Sequence, residues 1–299
     1  MAKRLDWQSD GRDWPNRALS RFVEAGGQRW HVQRAGTGEA ALLLHGTGAS
    51  THSWSGLLPL LAKRFDVLAM DLPGHAFTQN LSRLDVSLPG MVRGLMALLE
   101  AERFRPSVII GHSAGAAIAV RLAPLLATPP RHVIALNGAL KPFGGPAGMI
   151  APLMAKALAI NPFACRALAR GGRHPARVEK LIEGTGSRPG PEYLRFYGRL
   201  FGNPAHVSGT LSMMAAWDVS DILQPFGRTG LSLHQITGAN DRAVPPGLAD
   251  DLAQRHRWAS AAHLPGLGHL AHEEDAARVA AAIFEALGAG IIPVRRSGT

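Results

Sequence analysis

The chain has 299 residues, 46% of them hydrophobic, with 32 Lys and Arg against 22 Asp and Glu for a formal charge of +10. That length holds one large α/β core with a subsidiary element; the single cysteine, Cys165, excludes an internal disulfide and fits a reducing cytoplasm, and no apolar run reaches the ~20 residues a bilayer span requires. The basic residues are scattered without interleaved aromatics, which argues against nucleic acid and leaves an anionic substrate, an anionic membrane surface or plain solubility as their use.

Residues 1–20 read as a polar arm carrying Trp7 and Trp14, and the first ten lack the apolar core of a signal peptide. Segments 20–25 and 29–34, joined at Gly26-Gly27, predict a hairpin. A buried strand over 41–45 runs into His45-Gly46-Thr47-Gly48, followed by a helix near 54–63, a strand over 65–71, a loop over 72–78 and a helix from about 88 to 103. Next, Val108, Ile109 and Ile110 lead into Gly111-His112-Ser113-Ala114-Gly115 and a small-residue helix. This is the pattern of a nucleophile elbow, in which glycines flank a serine on a turn too tight for larger neighbours. A strand over 132–138 completes the first half, and strands alternating with helices imply a mostly parallel sheet covered on both faces.

The alternation stops between 139 and 227. Helical stripes take over: Met149, Ile150, Leu153, Met154, Ala157 and Leu158, then Tyr193, Phe196, Tyr197, Leu200 and Phe201, then Met213, Met214 and Trp217. The chain therefore divides into a first core part over 1–138, a helical lid over 139–227 inserted after the sixth strand, and a second core part over 228–299. The lid carries ten basic side chains against five acidic ones, half the excess of the whole chain. Residues 149–169 are apolar enough to lie on a bilayer, but Pro152 and Pro162 interrupt them, which favours lid packing. Strands over 231–237 and 260–264, a helix near 270–287 and a basic tail over 291–299 finish the chain.

A serine needs a base, and the base needs an orienting acid. Asp241 follows the strand ending at Gly238, although an Asn-Asp turn alone accounts for that segment equally well. His269 lies in the glycine-punctuated run Leu264-Pro265-Gly266-Leu267-Gly268-His269. Its rival His272 reads as part of the next helix's first turn beside Glu273 and Glu274. The order Ser113, Asp241, His269 matches a Ser-Asp-His chain order. The Thr47 and Ala114 amides are the natural oxyanion donors. His45 reads as a structural residue bonded to loop backbone, while His112 either lines the pocket or tucks beneath the elbow. No His, Cys and carboxylate cluster has metal-ligand spacing.

With these residues in view the chain resembles the α/β-hydrolase superfamily. More narrowly, Gly11-Arg12-Asp13-Trp14-Pro15-Asn16-Arg17, the run from His45 to Trp54, Asp71-Leu72-Pro73-Gly74-His75, the run from Leu211 to Trp217 and the run from Leu264 to His269 resemble the BchO-type magnesium-chelatase accessory hydrolases of bacteriochlorophyll biosynthesis. The resemblance implies the α/β-hydrolase fold, a triad of Ser113, His269 and Asp241, oxyanion donors Thr47 and Ala114, and no cofactor or metal. It further implies a place near the magnesium-protoporphyrin step, association with magnesium chelatase, a tetrapyrrole or its ester as substrate, and a cytoplasmic protein at the periphery of the photosynthetic membrane. At Gly74-His75-Ala76 the chain departs from relatives, which generally have a second glycine. The expected activity is hydrolysis of an ester, thioester or similar acyl bond. Two alternatives are a non-catalytic tetrapyrrole chaperone and a carbon–carbon bond hydrolase of the meta-cleavage type.

Overall fold

A computed structural model describes residues 4–80, 85–142, 154–159 and 161–289. The stripe residues Met149, Ile150 and Leu153, with Pro152, and the basic tail over 291–299 lie outside the described residues.

The described strands are β1 (Ser20–Ala25), β2 (Gln28–Ala35), β3 (Glu39–Leu44), β4 (Phe65–Met70), β5 (Gln79–Asn80), β6 (Val108–His112), β7 (His132–Leu136), β8 (Ser232–Gly238) and β9 (Ala259–Leu264). They form one sheet in the order β1-β2-β4-β3-β6-β7-β8-β9, with β5 paired to the edge of β2. The β1–β2 and β2–β4 pairs are antiparallel, and every pair from β4 to β9 is parallel. The hairpin expected across Gly26-Gly27 is the β1–β2 pair. β5 spans two residues, too few to show an alternation, so the segment counted as the sixth strand from sequence is the seventh in the chain.

The central parallel strands β3, β6 and β7 are apolar on both sides because each side packs under helices. In β3, Leu42 and Leu44 point into one buried cluster and Ala41 and Leu43 into the other. The first cluster receives α2 (Leu88–Ala101), α3 (Ala114–Leu122) and α8 (Leu223–Gly227); the second receives α1 (Leu57–Leu61) and α11 (Ala276–Ala289). The helix expected near 54–63 is shorter than its apolar pattern, a 3-10 turn at Thr51–Trp54 followed by α1.

Between β7 and β8 the described residues are mainly helical, and include α4 (Pro162–Gly172), α5 (Pro175–Glu183), α6 (Pro191–Phe201), α7 (Pro204–Ala215) and α8. Proline opens four of these, its missing N–H falling where a helix start needs no donor. The N-terminal arm lies over the body as its tryptophans suggest. Leu5, Trp14, Ala76, Phe77, Phe196 and Leu200 form a separate apolar cluster, and Trp14 Nε1 donates to Thr51 Oγ1 at 3.0 Å. The arm thereby joins α6 to the core. Two more helices, α9 (Gly247–Arg255) and α10 (Ala271–Glu274), follow β8 and β9.

Candidate active site

β6 turns directly into α3, and Ser113 sits at the turn with φ 51° and ψ −117°. Such a backbone costs of order 1–3 kcal/mol and persists only where its surroundings enforce it. Here Ser113 N–H donates to Leu136 O at 3.0 Å, and the Ser113 carbonyl accepts from Ala116 and Ala139 N–H, both at 3.1 Å. A Cβ on Gly115 would stand 2.0 Å from Leu44 O, so the helix start can approach β3 only with glycine there. The Ala114 N–H, at the first position of α3, and the Thr47 N–H, in the turn after β3, find no acceptor among the described residues. Thr47 Oγ1 lies 3.7 Å from Met213 Sδ on α7.

Asp241 follows β8, and its carboxylate is saturated by four hydrogen bonds. Oδ1 accepts the Ala243 and Val244 N–H groups at 2.8 Å each. Oδ2 accepts Asn137 Nδ2 at 2.7 Å and His269 Nδ1 at 2.8 Å. The two side chains expected from sequence as acid and base are thus brought together, whereas His272 makes no hydrogen bond to Asp241 among the described residues. The rival is fully buried on α10, where its Nε2 meets Ser53 Oγ at 2.8 Å. Bonding at Nδ1 fixes the His269 tautomer and leaves Nε2 as the proton acceptor. Ser113 Oγ is not hydrogen-bonded to His269 among the described residues, and the serine stays partly exposed. Contacts of this kind commonly close only with substrate in place.

The matching family model is the alpha/beta hydrolase family, over residues 41–282. The chain belongs to that family. It is 37% identical over 263 residues to the magnesium-chelatase 30 kDa subunit of Rhodobacter capsulatus, covering 87% of this chain and 92% of that protein. The resemblance to the BchO-type accessory proteins therefore holds along most of the length. It is also 33% identical over 264 residues to a pimeloyl-[acyl-carrier protein] methyl ester esterase of Methylococcus capsulatus, covering 80% and 92%. Among solved structures, an alpha/beta hydrolase fold protein from Burkholderia ambifaria superposes with a TM-score of 0.73 at 22% identity, over 95% of this chain and 100% of that one, a likeness of fold.

In this α/β hydrolase several residues that sequence reasoning did not single out hold the pair in place. Asn137, fully buried just beyond the carboxyl end of β7, takes a left-handed φ of 48° and bridges Asp241 to the Gly268 carbonyl at 3.2 Å. Its place where strands end over the site was its one sequence signal. Ser187 Oγ accepts Leu270 N–H at 2.7 Å, and Glu274 Oε1 accepts Gly268 N–H at 2.9 Å. Both clamp the residues flanking His269. His112 resolves to the second of its two readings: buried beneath the elbow, it donates from Nε2 to His269 O at 2.9 Å. His45 is structural as expected, with Nδ1 on Gly46 O at 2.8 Å and Nε2 accepting Leu72 N–H at 2.9 Å.

The departure at Ala76 has a local answer. Its φ is 37°, in the left-handed region that favours glycine, and its N–H donates to His206 Nδ1 at 3.0 Å while His206 Nε2 donates to Gly48 O at 3.0 Å. One α7 side chain thus holds both the strained loop and the turn carrying Thr47. Desolvation pushes His206 down to about 4, His52 and His272 down to about 3, and His75 and His112 well below the usual histidine range. These rings are neutral at neutral pH. Burial pushes Glu273 the other way, up to about 8, and its Oε1 accepts from Tyr197 OH at 2.8 Å and from Ser53. Tyr197 on α6 is thereby tied to a residue four past His269.

A groove of about 320 Å³ is lined by Leu168, Val178, Leu181, Phe201, Val207 and Leu211, with Thr210. Phe201 and Thr210 stand over Gly48, since a Cβ there would lie 3.5 Å from each. The groove is apolar and borders the turn carrying Thr47. Among the described residues no group of three or more His, Cys, Asp or Glu side chains could hold a metal ion, and no helix is long and apolar enough to cross a membrane.

Proposed function

We propose that the protein is a serine hydrolase of an ester, thioester or similar acyl bond, working as an accessory factor of bacteriochlorophyll biosynthesis near the magnesium-protoporphyrin step. The observation that carries the chemistry is the buried Asp241–His269 hydrogen bond beside a serine in a strained elbow. His269 Nε2 takes the Ser113 proton as Oγ attacks the carbonyl, and Asp241 stabilises the imidazolium without taking its proton. The negative oxygen of the tetrahedral intermediate falls to the Thr47 and Ala114 amides, worth ~3–4 kcal/mol each by comparison with known oxyanion donors. His269 returns the proton to the leaving group, then activates water to release the acyl group. The helices over 139–227 act as a lid, and the groove beside Gly48 receives an apolar part of the substrate. The pathway assignment draws on the likeness to the Rhodobacter capsulatus protein, and the substrate it favours is a tetrapyrrole ester or an acyl ester made alongside one.

The test has two parts. A fluorophosphonate is expected to label wild-type protein on Ser113 and to leave Ser113→Ala unlabelled. No labelling of folded wild type from pH 6 to 9 refutes the hydrolase reading. Complementation of a pigment-deficient strain then separates chemistry from carriage: full rescue by Ser113→Ala supports a tetrapyrrole chaperone instead.

A further inference from the structure

A second cavity, of about 600 Å³, contains none of Ser113, Asp241, His269, Thr47 or Ala114. It lies between the N-terminal arm, α4, α6 and the start of α7, and five arginines line it: Arg4, Arg166, Arg170, Arg173 and Arg199. Asp10 is the one acidic side chain in the lining.

Their partners are unequal. Arg199 is engaged by Asp13, with Nη1 on Oδ1 at 2.7 Å and Nη2 on Oδ2 at 3.1 Å. The other four have no carboxylate within 4.0 Å among the described residues. Arg4 reaches the Thr78 carbonyl at 3.2 Å, Arg173 reaches the Gly202 carbonyl at 3.4 Å, and Arg166 lies over the Phe163 ring. Burial lowers the Arg4 guanidinium from its ordinary value, as expected of a cation that has lost water without gaining a counter-ion. Arg166 and Arg170 on α4 and Arg173 at its C-cap stand at i, i+4 and i+7, and the helix has no acidic residue, so neighbouring like charges face one side unrelieved. A ligand that neutralises them stabilises the arrangement.

We propose that this cavity binds a small soluble molecule carrying a pyrophosphate or similarly dense polyphosphate group. Charge sets the class: four unneutralised guanidiniums match an anion of three or four charges better than a single carboxylate. Shape agrees, because planar guanidinium forks pair two by two with phosphoryl oxygens. The volume falls in the range of small-molecule sites and exceeds that of pyrophosphate alone, leaving room for an attached group against Leu5, Ala169 and Pro204. The amides at the start of α7 take no part, since Asn203 Oδ1 already accepts those of Ala205 and His206. The ligand joins the arm to the insertion on a surface separate from the serine, so it adds a second binding function to the molecule.

The experiment is calorimetric titration of the full chain with inorganic pyrophosphate, and with inorganic phosphate, at constant ionic strength. Saturable one-to-one binding of pyrophosphate, at least tenfold tighter than phosphate, is expected. The exposed pair Arg166→Ser/Arg170→Ser should lose at least tenfold in affinity, while Arg228→Ser, exposed and remote from the cavity, keeps it. Circular dichroism and fluorophosphonate labelling of Ser113 check that each variant is folded, and neither depends on this cavity. Absence of saturable binding by wild type, or equal affinity in the double variant, overturns the proposal. So does sedimentation with phosphatidylglycerol vesicles that pyrophosphate does not compete away, which would assign the arginines to a lipid surface.

Discussion

Lowering the pH should unfold this protein far above the pH at which its carboxylates protonate, because its core is built around neutral imidazoles. His52, His206 and His272 are fully buried, with values depressed to about 3, 4 and 3 from an unfolded value of 6.5. A group depressed in the folded state stabilises above its unfolded value, and that contribution is lost as pH falls towards the folded one. Below pH 6.5 the unfolded chain gains a proton at each ring that the native chain refuses. At pH 5.5 each costs about 1.4 kcal/mol and at pH 5.0 about 2 kcal/mol, so these three remove about 4 and then about 6 kcal/mol. His75 and His112 move the same way, their depression again led by desolvation. Against a typical total of about 5–15 kcal/mol, the loss reaches the whole stability of an ordinary domain. Far-UV circular dichroism and urea melts from pH 7.5 to 4.5 should show unfolding set in between about pH 6 and 5. His52→Phe, which keeps a ring between Trp14, Phe196 and Tyr197, should shift the acid midpoint down and reduce proton uptake on unfolding by about one. A urea midpoint that stays level from pH 7.5 to 5.5 refutes the reasoning.

Glu273 acts in the opposite window. Its folded value is raised to about 8 from 4.5, so its stabilising contribution is complete below pH 4.5 and fades as pH rises through 8. Glu273→Gln should therefore gain stability over wild type between pH 6 and 8.5, by a few kcal/mol; a difference that does not change with pH sinks the idea. Removing the amide in Asn137→Ala leaves Asp241 with three hydrogen bonds and Gly268 O without its contact, and the loss of bonds to a charged group, about 1.5–3 kcal/mol, predicts an order of magnitude or more off kcat for a p-nitrophenyl ester. An unchanged kcat refutes that role. Gly115→Ala drives a Cβ into Leu44 O and should give insoluble or unfolded protein, whereas Gly247→Ala meets open space and should leave Tm nearly unchanged. Thermal melts of the two variants decide between local space and glycine content as the cause.

Much of the site was legible in one dimension because each part is encoded locally. An apolar strand, two glycines and a small-residue helix specify the elbow whatever the rest of the chain does, and the His45-Gly46-Thr47-Gly48 turn is equally self-contained. His269 could be preferred to His272 from the glycines before it. Less local features escaped. β5 is two residues long and shows no periodicity, and the exchange of order between β3 and β4 leaves no mark on either strand. Asn137 and His206 are ordinary polar residues in their own segments and gain a role only through partners 104 and 130 positions away.

By itself, then, the sequence determined the layered α/β architecture, the helical interruption and the strand–serine–helix turn, and it narrowed acid and base to a few candidates, since strand and helix periods and tight turns depend on near neighbours. The tertiary structure decided which histidine meets the aspartate, which side chains lock that meeting, and that arginines from the arm and two helices surround one cavity. Those are matters of long-range packing. Crossovers carry residues a hundred positions apart to one edge of the sheet, and only the assembled sheet fixes which of them touch.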